Sequence, residues 1–120
     1  MKQRDFRDYF QDILDSIQDI ESFIGNMSFD QFMDDRKTIN AVIRSLEVIG
    51  EAVKNIPESI RIKFPEIPWK KMAGMRDKMI HEYFGIDMEI VWKTIKSNLP
   101  PLKPLIIQLL DEQNNETSNR

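Results

Sequence analysis

A chain of 120 residues, 41% hydrophobic and 31% charged, has room for one hydrophobic core and reads as a single globular domain. It holds no cysteine, which excludes a disulfide framework and thiolate metal sites, and no apolar run approaches the roughly 20 residues that span a bilayer. A net charge of −3 argues against a generic nucleic-acid coat protein, and Met1-Lys2-Gln3-Arg4-Asp5 leads into an acidic amphipathic segment without a signal-peptide core, so a cytoplasmic location is expected.

In chain order, Phe6, Tyr9, Phe10, Ile13, Leu14, Ile17, Ile20, Phe23 and Ile24 recur at three- and four-residue steps, which predicts a first helix with a broad apolar stripe. Gly25-Asn26 is a stop, because both residues tolerate the left-handed conformation of a helix C-cap. Ser28 and Gln31 have the form of a capping box that opens a short helix. A long helix follows from about Asp34 to Asn55, with Ile39, Val42, Ile43, Leu46, Ile49 and Val53 inward and Gly50 permitting close helix approach. Pro57 suits the first turn of a short helix to about Lys63. Pro65 and Pro68 interrupt the chain, Trp69 to Ala73 forms a further turn or two, and Gly74 marks a kink or junction.

The next helix is expected over Met75 to Tyr83, with Met72, Met75, Met79 and Tyr83 on one stripe and Gly85 as its end. Asp87 can N-cap a helix whose apolar residues are Ile90, Val91, Trp92 and Ile95. Pro100, Pro101 and Pro104 delay the last helix to about 101–110, and residues 111–120 form a flexible polar tail. No strand pattern or internal repeat is present. The expectation is an all-α up-down bundle with short extra helices, one domain over residues 1–110.

The single histidine lies in Met75-Arg76-Asp77-Lys78-Met79-Ile80-His81-Glu82-Tyr83-Phe84. Arginine carries a permanent charge on a planar donor fork suited to phosphate, and histidine titrates near neutral pH, so the pair is a minimal kit for phosphodiester chemistry without a metal. R-x4-H-x-Y is short enough to arise by chance, and a satisfied core or surface histidine is the bland alternative. Charge distribution bears on the choice. Residues 1–60 carry seven basic and twelve acidic side chains, whereas residues 61–78 carry Arg61, Lys63, Lys70, Lys71, Arg76 and Lys78 against Glu66 and Asp77, a local balance of +4. Such a patch can hold phosphates or can be an ordinary solvated helix face.

The flanks are more specific than the motif. Glu66-Ile67-Pro68-Trp69, Ala73-Gly74-Met75-Arg76-Asp77, His81-Glu82-Tyr83-Phe84-Gly85-Ile86-Asp87, Val91-Trp92 and Asn98-Leu99-Pro100 resemble the HepT branch of the HEPN superfamily. Ser45-Leu46-Glu47-Val48-Ile49-Gly50-Glu51-Ala52 is similar to a second block of that family, and the resemblance runs in order from about Asp5 to Leu110. The residue after the arginine is often asparagine in this branch and is Asp77 here. The resemblance implies a HEPN-type helical bundle and a small ribonuclease toxin of a type VII-like toxin–antitoxin system, paired with a minimal nucleotidyltransferase antitoxin.

On a regular helix, Asp77 and His81 share a face, while Arg76 lies about 140° from His81. One helix therefore aims the arginine elsewhere, which suits two motif helices facing each other across a two-fold axis so that both chains furnish one cleft. HEPN ribonucleases resemble this arrangement, and a homodimer is expected. The implied chemistry is metal-independent RNA cleavage by attack of the 2′-OH on the adjacent phosphorus, so DNA is not a substrate and no cofactor is called for. His81 would act as general base or acid, Arg76 would stabilise charge on the phosphoryl oxygens, and Asp77 would hold the imidazole and favour its charged form.

Tyr83 carries three readings: an extension of the methionine stripe into the core, a contact to substrate phosphate, or, as the resemblance implies, the acceptor of AMP from the partner nucleotidyltransferase. Arg44, Glu47, Glu51 and Lys54 form one polar line on the long helix, a solvated ladder by default, with Arg44, Glu47 and Glu51 as possible supports of the cleft. Trp69 and Trp92 read as core anchors rather than base-stacking platforms. Two alternatives to the ribonuclease stand beside it: a non-catalytic HEPN accessory subunit presenting substrate to a nucleotidyltransferase, and a plain helical dimerisation module. The RNA target class is not legible in the sequence.

Overall fold

The computed structural model describes residues 5–74 and 87–118, the side chains of 113–118 excepted, and among them every regular element is helical. Helix α1 spans Phe6–Ile24 and opens on a capping box in which Asp5 and Asp8 satisfy each other's backbone N–H groups. The Arg7 guanidinium, 2.9 Å from Asp5, holds that carboxyl below the usual carboxylate range. Phe10, Ile13, Ile17, Ile20 and Ile24 are buried as the periodicity requires, and Gly25 closes the helix at φ +52°, the conformation that favours glycine. Phe23 departs from the expected stripe. It lies on the solvent side of α1 and is exposed.

The Ser28/Gln31 capping box opens α2 (Phe29–Met33), as the sequence predicts. Helix α3 spans Arg36–Lys54 with Asp35 as its N-cap; the Thr38 N–H donates to that carboxylate at 3.0 Å and lowers its pKa. Val42, Ile43, Leu46, Ile49 and Val53 are buried, joined by Ser45, Gly50 and Ala52. Helix α1 packs along α3, and this pair is the centre of the molecule, with α2 laid against α3. Each fully buried aliphatic side chain there contributes roughly 1.5–3 kcal/mol.

Pro57 caps the short helix α4 (Glu58–Arg61), standing one position before the helical residue expected of it. Residues 69–74 are helical through Gly74, and a Cβ at Gly74 would meet nothing within 4 Å. The kink or junction expected at that glycine, just before Arg76, lies at the edge of the described residues. After the motif region, Asp87 N-caps α5 (Met88–Lys93) by accepting from Glu89 N–H at 3.0 Å. Val91 and Ile95 are buried, whereas Ile90 is exposed.

The chain then loosens into a π-helical turn over Thr94–Asn98, closed by Leu99 N–H to Thr94 O at 2.9 Å. The Thr94 hydroxyl donates to Ile90 O at 2.8 Å, and Pro100 and Pro101 supply no N–H donors for the carbonyls of Lys96 and Ser97. Helix α6 covers Leu102–Ser118 and packs on α1, helped by Lys103 Nζ at 2.9 Å from Glu21. Its end at Ser118 corrects the expected end near residue 110. Once the packed stretch of Leu102, Ile106, Leu109 and Leu110 has nucleated the helix, adding polar residues costs little. No helix of the described residues is long and apolar enough to cross a membrane.

Candidate functional site

Arg76, Asp77, His81 and Tyr83 lie outside the described residues, as do Met75 and Met79. The elements on both sides of them are described, and each is anchored by a tryptophan.

On the amino-terminal side, the basic stretch divides by role. Arg61 belongs to the scaffold: its Nε donates to Ile56 O at 3.0 Å, and its Nη2 donates to Val53 O at 3.0 Å and Lys54 O at 3.4 Å. A helix C-terminus leaves carbonyls without partners and favours a cation, so this guanidinium closes α3 on both counts. The Trp69 indole N–H is shared between Arg61 O and Phe64 O, each at 3.0 Å, and its ring leans on Phe10 with centroids 5.9 Å apart. Residues 57–69 are thereby clasped to the end of α3. Met72, the described member of the methionine stripe, is 0% exposed, so the helical turn preceding Arg76 in sequence starts from a fixed base. Lys63, Lys70 and Lys71 are exposed and have no carboxylate partner among the described residues. Among the described residues of the patch, these lysines rather than Arg61 present exposed positive charge.

On the carboxyl-terminal side, the Trp92 ring meets Phe32 at 5.1 Å and Phe29 at 5.8 Å, and the Lys96 ammonium stands 5.5 Å from its centroid. Both tryptophans are structural anchors, as expected. The polar line of α3 is present: Arg44 lies 3.6 Å from Glu47, with Arg44 75% exposed and Glu47 only 24%. Glu51 and Lys54 are exposed, and neither is free of interactions. Among the described residues, no group of three or more Asp, Glu, His or Cys side chains is close enough to share a metal ion.

Sequence reasoning missed an open cavity of about 500 Å³ lined by Glu58, Arg61, Ile62, Pro65 and Trp69. Its one sequence signal is the i,i+4 placement of Glu58 and Ile62, with Ile62 70% exposed beside the clasp.

An all-α domain in which a clasped, lysine-bearing turn leads in sequence to an Arg–His–Tyr motif is of the HEPN type. The model of the family described as ribonuclease HepT-like matches residues 13–109, and the chain belongs to that family. It is 52% identical over 101 residues to "Probable ribonuclease HepT" of Thermococcus cleftensis, covering 84% of this chain and 92% of that one. It is 53% identical over 100 residues to "Putative RNase MJ0127" of Methanocaldococcus jannaschii (83% of each chain) and 42% identical over 107 residues to "Putative RNase TTE0752" of Caldanaerobacter subterraneus (89% and 96%). No solved structure matches the chain significantly.

Proposed function

We propose that this chain is a metal-independent RNA endonuclease, the toxin of a type VII-like toxin–antitoxin pair, acting in the cytoplasm as a homodimer. The observation that carries the reading is membership of the ribonuclease HepT-like family by a chain that keeps Arg76, His81 and Tyr83 together. An accessory or purely structural module has no need of all three.

In this mechanism the ribose 2′-oxygen attacks the adjacent phosphorus as His81 of one protomer takes its proton. The bond from phosphorus to the 5′-oxygen breaks, and that oxygen receives a proton from the other protomer's imidazolium. The products are a 2′,3′-cyclic phosphate and a 5′-hydroxyl. General acid–base catalysis of this kind contributes on the order of 10² to 10⁴ in rate. Arg76 neutralises charge on the non-bridging oxygens, and Asp77 orients the imidazole. Two copies resolve the divergence of Arg76 and His81 around one helix, because each cleft draws on both motif helices. Arg44, Glu47 and Glu51 back the cleft from α3. Tyr83 is the control point: transfer of AMP from a partner nucleotidyltransferase to its hydroxyl places anionic bulk over the cleft and excludes RNA.

Purified protein in excess EDTA should cut RNA, leave cyclic-phosphate ends and spare DNA of the same sequence. A folded His81→Ala or Arg76→Ala protein should lose this activity together with the growth arrest caused by the wild type. Cleavage that requires added divalent metal, or undiminished toxicity of folded His81→Ala, defeats the mechanism.

A further inference from the structure

The cavity beside the α3 clasp has the properties of a base-reading subsite, and this inference rests on the ribonuclease reading. We propose that Glu58, Ile62, Pro65 and Trp69 receive one unpaired RNA base near the scissile phosphate, and that Glu58 selects guanine.

Four observations converge. The first is size: about 500 Å³ is within the range of pockets that hold small molecules and admits a single base. The second is the lining. Ile62 stands 70% exposed and offers an aliphatic surface on which a flat base can stack. Pro65 and the edge of Trp69 complete an apolar wall, and the two carbonyl bonds of the Trp69 indole fix the ring's orientation. Sequence-specific recognition of RNA works on such unpaired bases, stacked on flat or apolar side chains and read along their hydrogen-bonding edges.

The third observation is the polar group. Glu58 is exposed and lines the cavity, and a carboxylate only accepts hydrogen bonds. Guanine presents N1–H and an N2 amino group as parallel donors on its Watson–Crick edge and so pairs with both carboxylate oxygens. Uracil offers a single N–H, and adenine and cytosine offer one amino group each. The fourth is the cationic rim. A carboxylate repels a phosphate, so an RNA site containing one needs cations to hold the backbone. Lys63 and Lys70 are exposed on the residues flanking the cavity without carboxylate partners among the described residues. Placement agrees as well. Trp69 begins a helical stretch described through Gly74, about 7.5 Å along the axis, and Gly74 stands two residues before Arg76 in sequence.

The test maps cleavage sites on end-labelled RNA oligonucleotides that carry one guanosine in a uridine–adenosine background, using the full chain. Wild type should cut at a fixed offset from the guanosine, and replacing that guanosine with inosine, which lacks the 2-amino group, should lower cleavage there on the order of ten-fold. Glu58→Gln should lose the preference by a similar factor and become indifferent to inosine. Ile62→Ala should weaken binding of the preferred oligonucleotide more than that of the guanosine-free one. An unchanged site preference in folded Glu58→Gln overturns the proposal. So does an Ile62→Ala protein that keeps the cleavage pattern but loses its dimer on light scattering, because the face is then a protein interface. Wild-type protein that cuts no RNA at all defeats the ribonuclease reading as well, so the two failures separate.

Discussion

Removing the Arg61 side chain tests whether the basic stretch before the motif is scaffold or substrate surface. In Arg61→Ala, the carbonyls of Val53, Lys54 and Ile56 lose their bonds to the guanidinium. Bonds to charged groups are worth about 1.5–3 kcal/mol each when well sheltered. The Lys54 bond is long and exposed, so water replaces it at little cost. The bonds to Val53 and Ile56 are part-buried and retain about 1 kcal/mol each, and the lost cation at the C-terminus of α3 adds about 0.3–1 kcal/mol. The expected destabilisation is about 2–3 kcal/mol.

For a domain of this size the urea m-value is about 1–2 kcal/mol per molar, so the unfolding midpoint should fall by about 1–3 M. Equilibrium urea unfolding followed by far-ultraviolet circular dichroism reads this directly, at one fixed protein concentration because any self-association adds to apparent stability. Arg61→Lys should recover only the helix-dipole part, since an ammonium cannot span these carbonyls as the guanidinium fork does. Lys63→Ala, on an exposed neighbour, should stay within about 0.5 kcal/mol of wild type. Arg61→Ala at wild-type stability would refute the clasp, and a selective loss of RNA binding in that variant would return Arg61 to the substrate surface.

Acid stability should carry the signature of the α3 N-cap. The Thr38 N–H stabilises the ionised form of Asp35, so its folded pKa lies below the unfolded value; that contribution is present above the unfolded pKa and disappears as pH falls through the folded one. Asp35→Asn keeps a capping oxygen without the titration, so its urea midpoint should fall less steeply than that of wild type below about pH 4. Co-expression with a cognate nucleotidyltransferase should add mass in AMP-sized steps of about 329 Da and abolish cleavage. Tyr83→Phe should remain dimeric and cleavage-competent yet unmodified, and adenylylation of that variant would place the acceptor elsewhere.

Local signals in the sequence determined most of the helical framework. The Ser28/Gln31 box, the Gly25 stop and the Asp87 cap satisfy backbone groups within a few residues of themselves, so the neighbours in sequence contain the whole interaction. The inward stripe of α3 was legible for the same reason, because a period of 3.6 places Val42, Leu46, Ile49 and Val53 on one side of any helix they form. The Arg–His–Tyr pattern and its flanks likewise carried the family before any fold was known.

Tertiary structure decided what periodicity leaves open: which apolar residues at the stripe's margin find a partner. Phe23 and Ile90 fit the pattern of their helices and remain exposed, because no described element covers that part of the helix. Arg61 could not be told from Lys63 by charge. Its role depends on the end of α3 returning to within hydrogen-bond reach, seven and eight residues upstream, and the Trp69 bonds to Arg61 O and Phe64 O complete the same closure. The cavity at Glu58 and Ile62 draws its lining from the residues of that closure, Arg61, Pro65 and Trp69 among them. A helix cap is decided by covalent neighbours, whereas a clasp and the pocket beside it are decided by where two turns of the chain meet.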